Sequence, residues 1–156
     1  MKGTNKRKLK IILGAFIVVA AIGILWYNAP LGATDLDPKD VKEIVVFDGN
    51  TGKSLHIEKQ KDIDYIIDSL NSLRIKRRGV SVGYLGFRYK TTIYLNSGEE
   101  ADGFNNFIIN SPDTIRKDPF FYTTLDSKTP CDYIEDLYKK ANESWKGADM
   151  LWFITL

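Results

Sequence analysis

A chain of 156 residues leaves 129 after Tyr27, enough for one compact domain with a core and too few for two. The formal charge of +2 is unevenly spread: Lys2, Lys6, Arg7, Lys8 and Lys10 precede the first acid, and the remainder, with 17 basic and 20 acidic residues, nets −3. That balance argues against nucleic acid as a partner, and a single cysteine (Cys131) and a single histidine (His56) exclude an intramolecular disulfide, a thiolate metal cluster and the multi-histidine zinc sites.

The first element is Ile11 to Tyr27 (IILGAFIVVAAIGILWY), which carries no charge. A helix of this length spans about 26 Å, slightly under the ~30 Å hydrocarbon core. Leu9 can extend it, Lys8 and Lys10 can snorkel to the headgroups, and Trp26 and Tyr27 suit the far interface. Five cations before the run and Asp35, Asp37 and Asp40 after it place the N-terminus in the cytoplasm and the rest outside. The run is longer than the apolar core of a signal peptide, and Pro30 stands directly behind Ala29, so a retained anchor is favoured. Cleavage after Ala33 would instead release a secreted protein. The chain thus divides into a cytoplasmic basic segment (1–10), a single-pass transmembrane helix with the lipid bilayer as its partner (11–27), a tether (28–40) and an extracytoplasmic domain (41–156).

Asn28 to Asp40 (NAPLGATDLDPKD) has the prolines and acids of a short solvated spacer. Glu43 to Phe47 (EIVVF), the turn chemistry of Asp48-Gly49-Asn50-Thr51-Gly52, and Ser54 to Ile57 predict a β-hairpin. The turn resembles the start of a calcium loop, but its acids are wrongly spaced and the closing Glu is missing. Ile63, Ile66, Ile67, Leu70 and Leu73 then form one apolar helical stripe, with Asp62 or Asp64 near the positive end of the dipole.

Arg74 to Gly79 (RIKRRG) predicts a solvated strand edge or loop. Its functional reading is contact with an anionic surface, phospholipid headgroups or an acidic wall polymer, through Arg74, Lys76, Arg77 and Arg78. Tyr84 to Leu95 (YLGFRYKTTIYL) predicts a strand with Leu85, Phe87, Tyr89, Thr91, Ile93 and Leu95 in the core. Its other face carries Tyr84, Gly86, Arg88, Lys90, Thr92 and Tyr94, either an ordinary solvent face or, through Tyr84, Arg88, Lys90 and Tyr94, a binding face.

Phe104 to Asn110, a short segment Thr114 to Lys117, and Phe120 to Thr124 complete a meander of strands. Thr129 as N-cap, Pro130 at the first position and Asp132 in the first turn announce a last helix, with Tyr133, Leu137 and Ala141, or Ile134, Leu137 and Tyr138, on its apolar side. Cys131 in its first turn would have a lowered thiol pKa, and His56, the single histidine, would be the base for it; the paired acids Glu99 and Glu100, and Asp132 and Glu135, read as solvated groups on a turn and a helix face. Met150 to Ile154 is continuously apolar and predicts a closing strand, with docking of Trp152 and Phe153 at the membrane interface as the alternative.

The expected fold is therefore α+β: a transmembrane helix, then one domain with an antiparallel sheet of about five strands packed by two helices, in the order ββα-ββββ-α. The segments IVVFDGNTGKSLHI, IDYIIDSLNSL, GYLGFRYKTTIYLNSG, FIINSPDTI, FFYTTL and DYIEDLYKK together resemble those of small exported or membrane-anchored α+β proteins of Gram-positive bacteria. The resemblance runs from Val41 to Ala141 and implies a cell-surface setting. It carries over no functional residue, and the closing WKGADMLWFITL departs from it. The expected function is a non-enzymatic binding domain for an envelope protein or an anionic surface, with no cofactor and no metal. The alternative is an accessory or regulatory subunit that meets a membrane protein through the span, although Gly14 and Gly23 are too far apart for a small-residue pairing motif. An enzyme using Cys131 is the third reading.

Overall fold

The structure, a computed structural model, describes residues 3–103 and 107–154, with side chains over 6–103 and 107–143. It divides into two units, residues 1–30 and 31–156. The first holds helix α1 (Gly3–Asn28). Within it, Lys6–Asn28 is long and apolar enough to cross a membrane, 23 residues with a mean hydropathy of 2.5. At ~1.5 Å per residue it measures about 34 Å, longer than the uncharged run alone because the basic residues continue the helix.

The second unit is an α+β domain built on one antiparallel sheet of eight strands. The strands are β1 (Leu31–Gly32), β2 (Val41–Asp48), β3 (Lys53–Ile57), β4 (Arg74–Val80), β5 (Tyr89–Leu95), β6 (Phe107–Ser111), β7 (Thr114–Lys117) and β8 (Phe120–Thr124), in the spatial order β1-β4-β8-β7-β6-β5-β2-β3. Helices α2 (Gln60–Asn71) and α3 (Cys131–Ile154) complete it. The sheet is larger than the expected five strands, because two segments read as spacer and solvated edge are paired. Leu31 and Gly32 pair with Ile75 and Arg74, and the basic run pairs with β8.

The expected tether is accordingly part of the domain from Leu31 onward. Ala33 N–H donates to Leu73 O, Leu36 exchanges two hydrogen bonds with the Asn71 side chain, and Pro38–Asp40 forms a 3₁₀ turn capped by Asp37. Leu31, Ala33 and Leu36 pack against the core. A spacer rich in proline still pairs when its few apolar residues have a core to cover.

The helical stripe behaves as its periodicity predicts. Ile63, Ile66, Ile67, Leu70 and Leu73 are buried, each contributing about 1.5–3 kcal/mol of apolar transfer. They meet Val41, Ile44, Val46, Ile93, Phe107, Ile109 and Ile115 from the sheet, and Ile134 and Tyr138 from α3. The α3 start is also as expected within one residue: Thr129 Oγ1 accepts from Cys131 N–H, and Ile134 N–H donates to Pro130 O.

The predicted closing strand at Met150 to Ile154 is helix instead, since α3 continues to Ile154. A short apolar run has no period of its own, and here it follows a helix with no proline to stop it. Residues 104–106 of the predicted strand Phe104 to Asn110 lie outside the described residues, and β6 begins at Phe107.

Tyr133 ties α3 to α2. Its hydroxyl donates to Asp62 Oδ1 at 2.7 Å and its ring lies 4.0 Å from that of Tyr65. The hydrogen bond to the carboxylate raises the phenol from 10.0 to about 12. Between those values the folded protein keeps a proton that the unfolded chain has lost, so this share of stability is complete below pH 10 and fades as pH climbs toward 12. The thermal midpoint is expected to fall across that window, and Tyr133→Phe should fall less steeply in a pH series followed by circular dichroism.

Candidate functional site

The connections decide which face of the sheet is open. β3 reaches β4 through α2 on one face. The eight residues from Ser81 to Arg88 then carry the chain from β4 to β5, past β8, β7 and β6. Four inter-strand steps of ~4.8 Å amount to about 19 Å, within reach of eight extended residues. The connection is therefore drawn across the face opposite the helices.

This overturns the predicted strand from Tyr84. Alternation in YLGF continues that of β5, but the pairing starts only at Tyr89. Leu85, expected in the core, is fully exposed, and Phe87 is half-buried. From Tyr89 on, the expected alternation is present: Tyr89, Thr91 and Ile93 are buried.

Arg116 holds the connection down. It lies on β7 across from Ile108, and both are buried, at 7% and 3% exposure, on the face away from the helices. Its Nη1 donates to Tyr84 O and Gly86 O at 2.9 Å each, and its Nε lies 3.5 Å from Asp118 Oδ1, a distance of ion pairing without a formed hydrogen bond. Ser81 Oγ donates to the same carboxylate oxygen at 2.5 Å, and Ser81 N–H to Pro119 O. At the other end Gly49 N–H donates to Arg88 O, and a Cβ on Gly49 would stand 2.5 Å from Phe87 O. Only glycine allows the hairpin turn to approach that closely. Within the turn Asp48 accepts from Asn50 N–H and Thr51 Oγ1, so its carboxylate serves the turn.

Between this connection, the β2–β3 turn and the tip of the β6–β7 hairpin lies an open cleft of about 770 Å³. Tyr84, Phe87 and Phe121 give it aromatic surface; Asn50, Asn110, Ser111 and Thr114 give amide and hydroxyl groups; Arg78 and Arg88 give cations. The Tyr84 and Phe121 rings meet edge to face at 5.2 Å. Asp113, at the hairpin tip, accepts from Ser111 Oγ and Thr114 Oγ1, and these bonds hold its carboxyl below the usual range. It stays ionised at neutral pH, so the hairpin tip is negative and the Arg78 side positive.

The candidates named from sequence separate in space. Arg78, Tyr84 and Arg88 line the cleft. Arg88 is committed elsewhere, since its Nη2 donates to Glu135 Oε2 at 2.6 Å and its Nη1 stands 3.5 Å from Cys131 Sγ. Arg74, Lys76, Lys90 and Tyr94 alternate with core residues and face away from the helices outside the cleft, with Arg74 paired to Asp126 at 3.2 Å. Arg77, read as solvated, is buried, its guanidinium 5.7 Å from the Phe120 ring centre. The cleft residues missed from sequence (Asn50, Phe87, Asn110, Ser111, Thr114, Phe121) sit on turns and strand ends whose convergence only the topology creates.

Cys131 is fully buried, and burial raises its thiol, with Arg88 only partly opposing. The lowering expected from the helix start does not prevail. His56 Nδ1 pairs with Glu43 Oε1 on the β2–β3 ladder. Among the described residues no group of acids, His and Cys is placed to hold a metal ion.

The fold and site thus define an α+β domain with an open cleft, following a helix able to span a bilayer. Comparison with known protein families, with curated proteins and with solved structures finds no match.

Proposed function

We propose that the chain is a single-pass protein of the cell membrane whose outer domain binds an anionic component of the envelope, without catalysis. The apolar helix preceded by basic residues and followed by acids supports retention with the N-terminus inside. The setting is the Gram-positive surface that the sequence resemblance implies.

The cleft is the observation that carries the ligand class. A guanidinium pairs with phosphate or carboxylate, aromatic faces cover sugar or aliphatic stretches, and fixed amides and hydroxyls orient hydroxyl-rich chains. An acidic wall polymer presents these three chemistries in repeating order, and an open groove admits a chain that continues past it. Its anionic groups settle on the Arg78 side, away from Asp113.

The test is co-sedimentation of full-length protein in nanodiscs with purified anionic wall polymer. Arg78→Ala and Tyr84→Ala should each weaken capture about tenfold, the loss of one charge-assisted pair or one stacked face, and added salt should weaken the parent. Lys90→Ala, outside the cleft, should leave capture intact. Undiminished capture by both cleft variants would place the ligand elsewhere.

A further inference from the structure

β3 is the last strand on its side of the sheet, and among the described residues no strand pairs with its outer edge. Alternate residues of an antiparallel strand turn their N–H and C=O groups to opposite neighbours. Gly49 N–H donates to Arg88 O on the β5 side, and Asp48 O accepts from Gly52 N–H on the β3 side. Ile44, Val46 and Asp48 therefore serve β3, and their partners Ile57, Leu55 and Lys53 turn inward to meet them. Ser54 and His56 turn the other way and present their main-chain groups to the place of a further strand, ~4.8 Å out.

A groove of about 500 Å³ lies along β3, between it, the start of α2 and α3, and it shares no residue with the cleft. Leu55, Leu137 and Ala141, all half-buried, give it apolar surface. Lys59, Lys61 and Lys140 stand exposed around it, and their ammonium groups meet no partner among the described residues. The acids of the lining are Glu58 and Asp62, and the second already accepts from the Tyr133 hydroxyl. Lys59 is also the N-cap of α2 and makes no side-chain capping bond, so the positive pole of the helix adds to the lysines.

We propose that an extended acidic segment of a partner protein adds to the sheet as a strand beside β3. Its main chain pairs with Ser54 and His56, its alternate apolar side chains settle on Leu55, Leu137 and Ala141, and a carboxylate meets Lys61 and Lys140. Strand addition of this kind takes its affinity from the main chain and its specificity from the pockets alongside. Charge selects the occupant. In either direction of pairing, the β3 of a second copy would bring Lys53 or Lys59 toward these lysines, and like charges oppose it.

The probe is a phage-displayed library of random decapeptides, panned on the full-length protein held in nanodiscs. Enriched peptides should alternate apolar and polar residues and carry aspartate or glutamate. Such a peptide, synthesised and added at saturation, should slow amide exchange at Ser54 and His56, whose N–H groups face water in the free protein. Ser54→Pro removes one outward donor at a sheet edge, where proline is tolerated, and should weaken the peptide about tenfold. Lys61→Glu combined with Lys140→Glu, both on the exposed surface, should also weaken it about tenfold and turn a second panning toward peptides rich in lysine and arginine.

No enrichment, or peptides that bind without protecting Ser54 and His56, would overturn the proposal. Affinity and peptide choice unmoved by the two lysine reversals would overturn the acidic partner. Protection of the two amides that grows with protein concentration and needs no peptide would overturn it as well, in favour of a second copy.

Discussion

Arg116→Met is expected to free the β4–β5 connection while leaving the sheet folded. The guanidinium makes two hydrogen bonds to the carbonyls of Tyr84 and Gly86, and bonds from a charged donor contribute roughly 1.5–3 kcal/mol each. Methionine fills much of the same space and removes the desolvation cost of a buried cation, which offsets a large part of that loss. Asp118 loses its cationic neighbour but keeps the Ser81 hydroxyl, is half exposed and can take up water. The net is about 2 kcal/mol, and it falls on one segment, because the two carbonyls regain hydrogen bonds as soon as the connection lifts. Amide exchange at Tyr84 and Arg88, whose N–H groups bond to Ser81 O and Asn110 Oδ1, should accelerate strongly. Exchange in β2 and β5 should change little. Arg116→Lys, which keeps the charge but cannot fork to two carbonyls, should fall between. Unchanged exchange at both amides would mean that the turn contact through Gly49 suffices to hold the connection.

What the sequence discloses and what it hides divide along local against non-local order. The α2 stripe and the Thr129–Pro130 helix start depend on neighbours within a turn or two, and both are present as read. The β5 alternation is equally local, and it misleads at Tyr84 because a loop stretched over a sheet also alternates sides. Nothing in YLGFR states that its carbonyls meet an arginine some thirty residues later. Arg116 itself lies in a four-residue strand, Thr-Ile-Arg-Lys, where a cation looks like an ordinary outward residue. Its burial follows from the eight-strand order, which brings a crossing segment over β7. Arg77 misleads for a similar reason, since a bulge between Arg77 and Gly79 and the phenylalanines of β8 give its stem a covered place within a basic run. Of the cleft, sequence marked Arg78, Tyr84 and Arg88 by their charge or aromatic character. It could not mark Asn110 or Phe121, which read as ordinary strand residues until the fold brings them to one cleft.

Asn71→Ala is expected to detach the segment that leads into the domain and to lower stability by about 2–3 kcal/mol. The side chain closes a ring with Leu36: Oδ1 accepts from Leu36 N–H at 3.1 Å, and Nδ2 donates to Leu36 O at 2.7 Å. Alanine leaves both backbone groups partly buried and without that partner, and the least costly response is for the segment to peel away. Peeling also uncovers Leu31, Ala33 and Leu36, which pack on the core, so the loss exceeds that of two average hydrogen bonds. Urea unfolding of the full-length protein in detergent should show a lower midpoint, and limited proteolysis should cut between residues 31 and 40. Asn71→Asp keeps the acceptor and loses the donor, and should lie between parent and alanine. Unchanged proteolysis in Asn71→Ala would show that the β1 pairing and the Ala33–Leu73 bond hold the segment unaided.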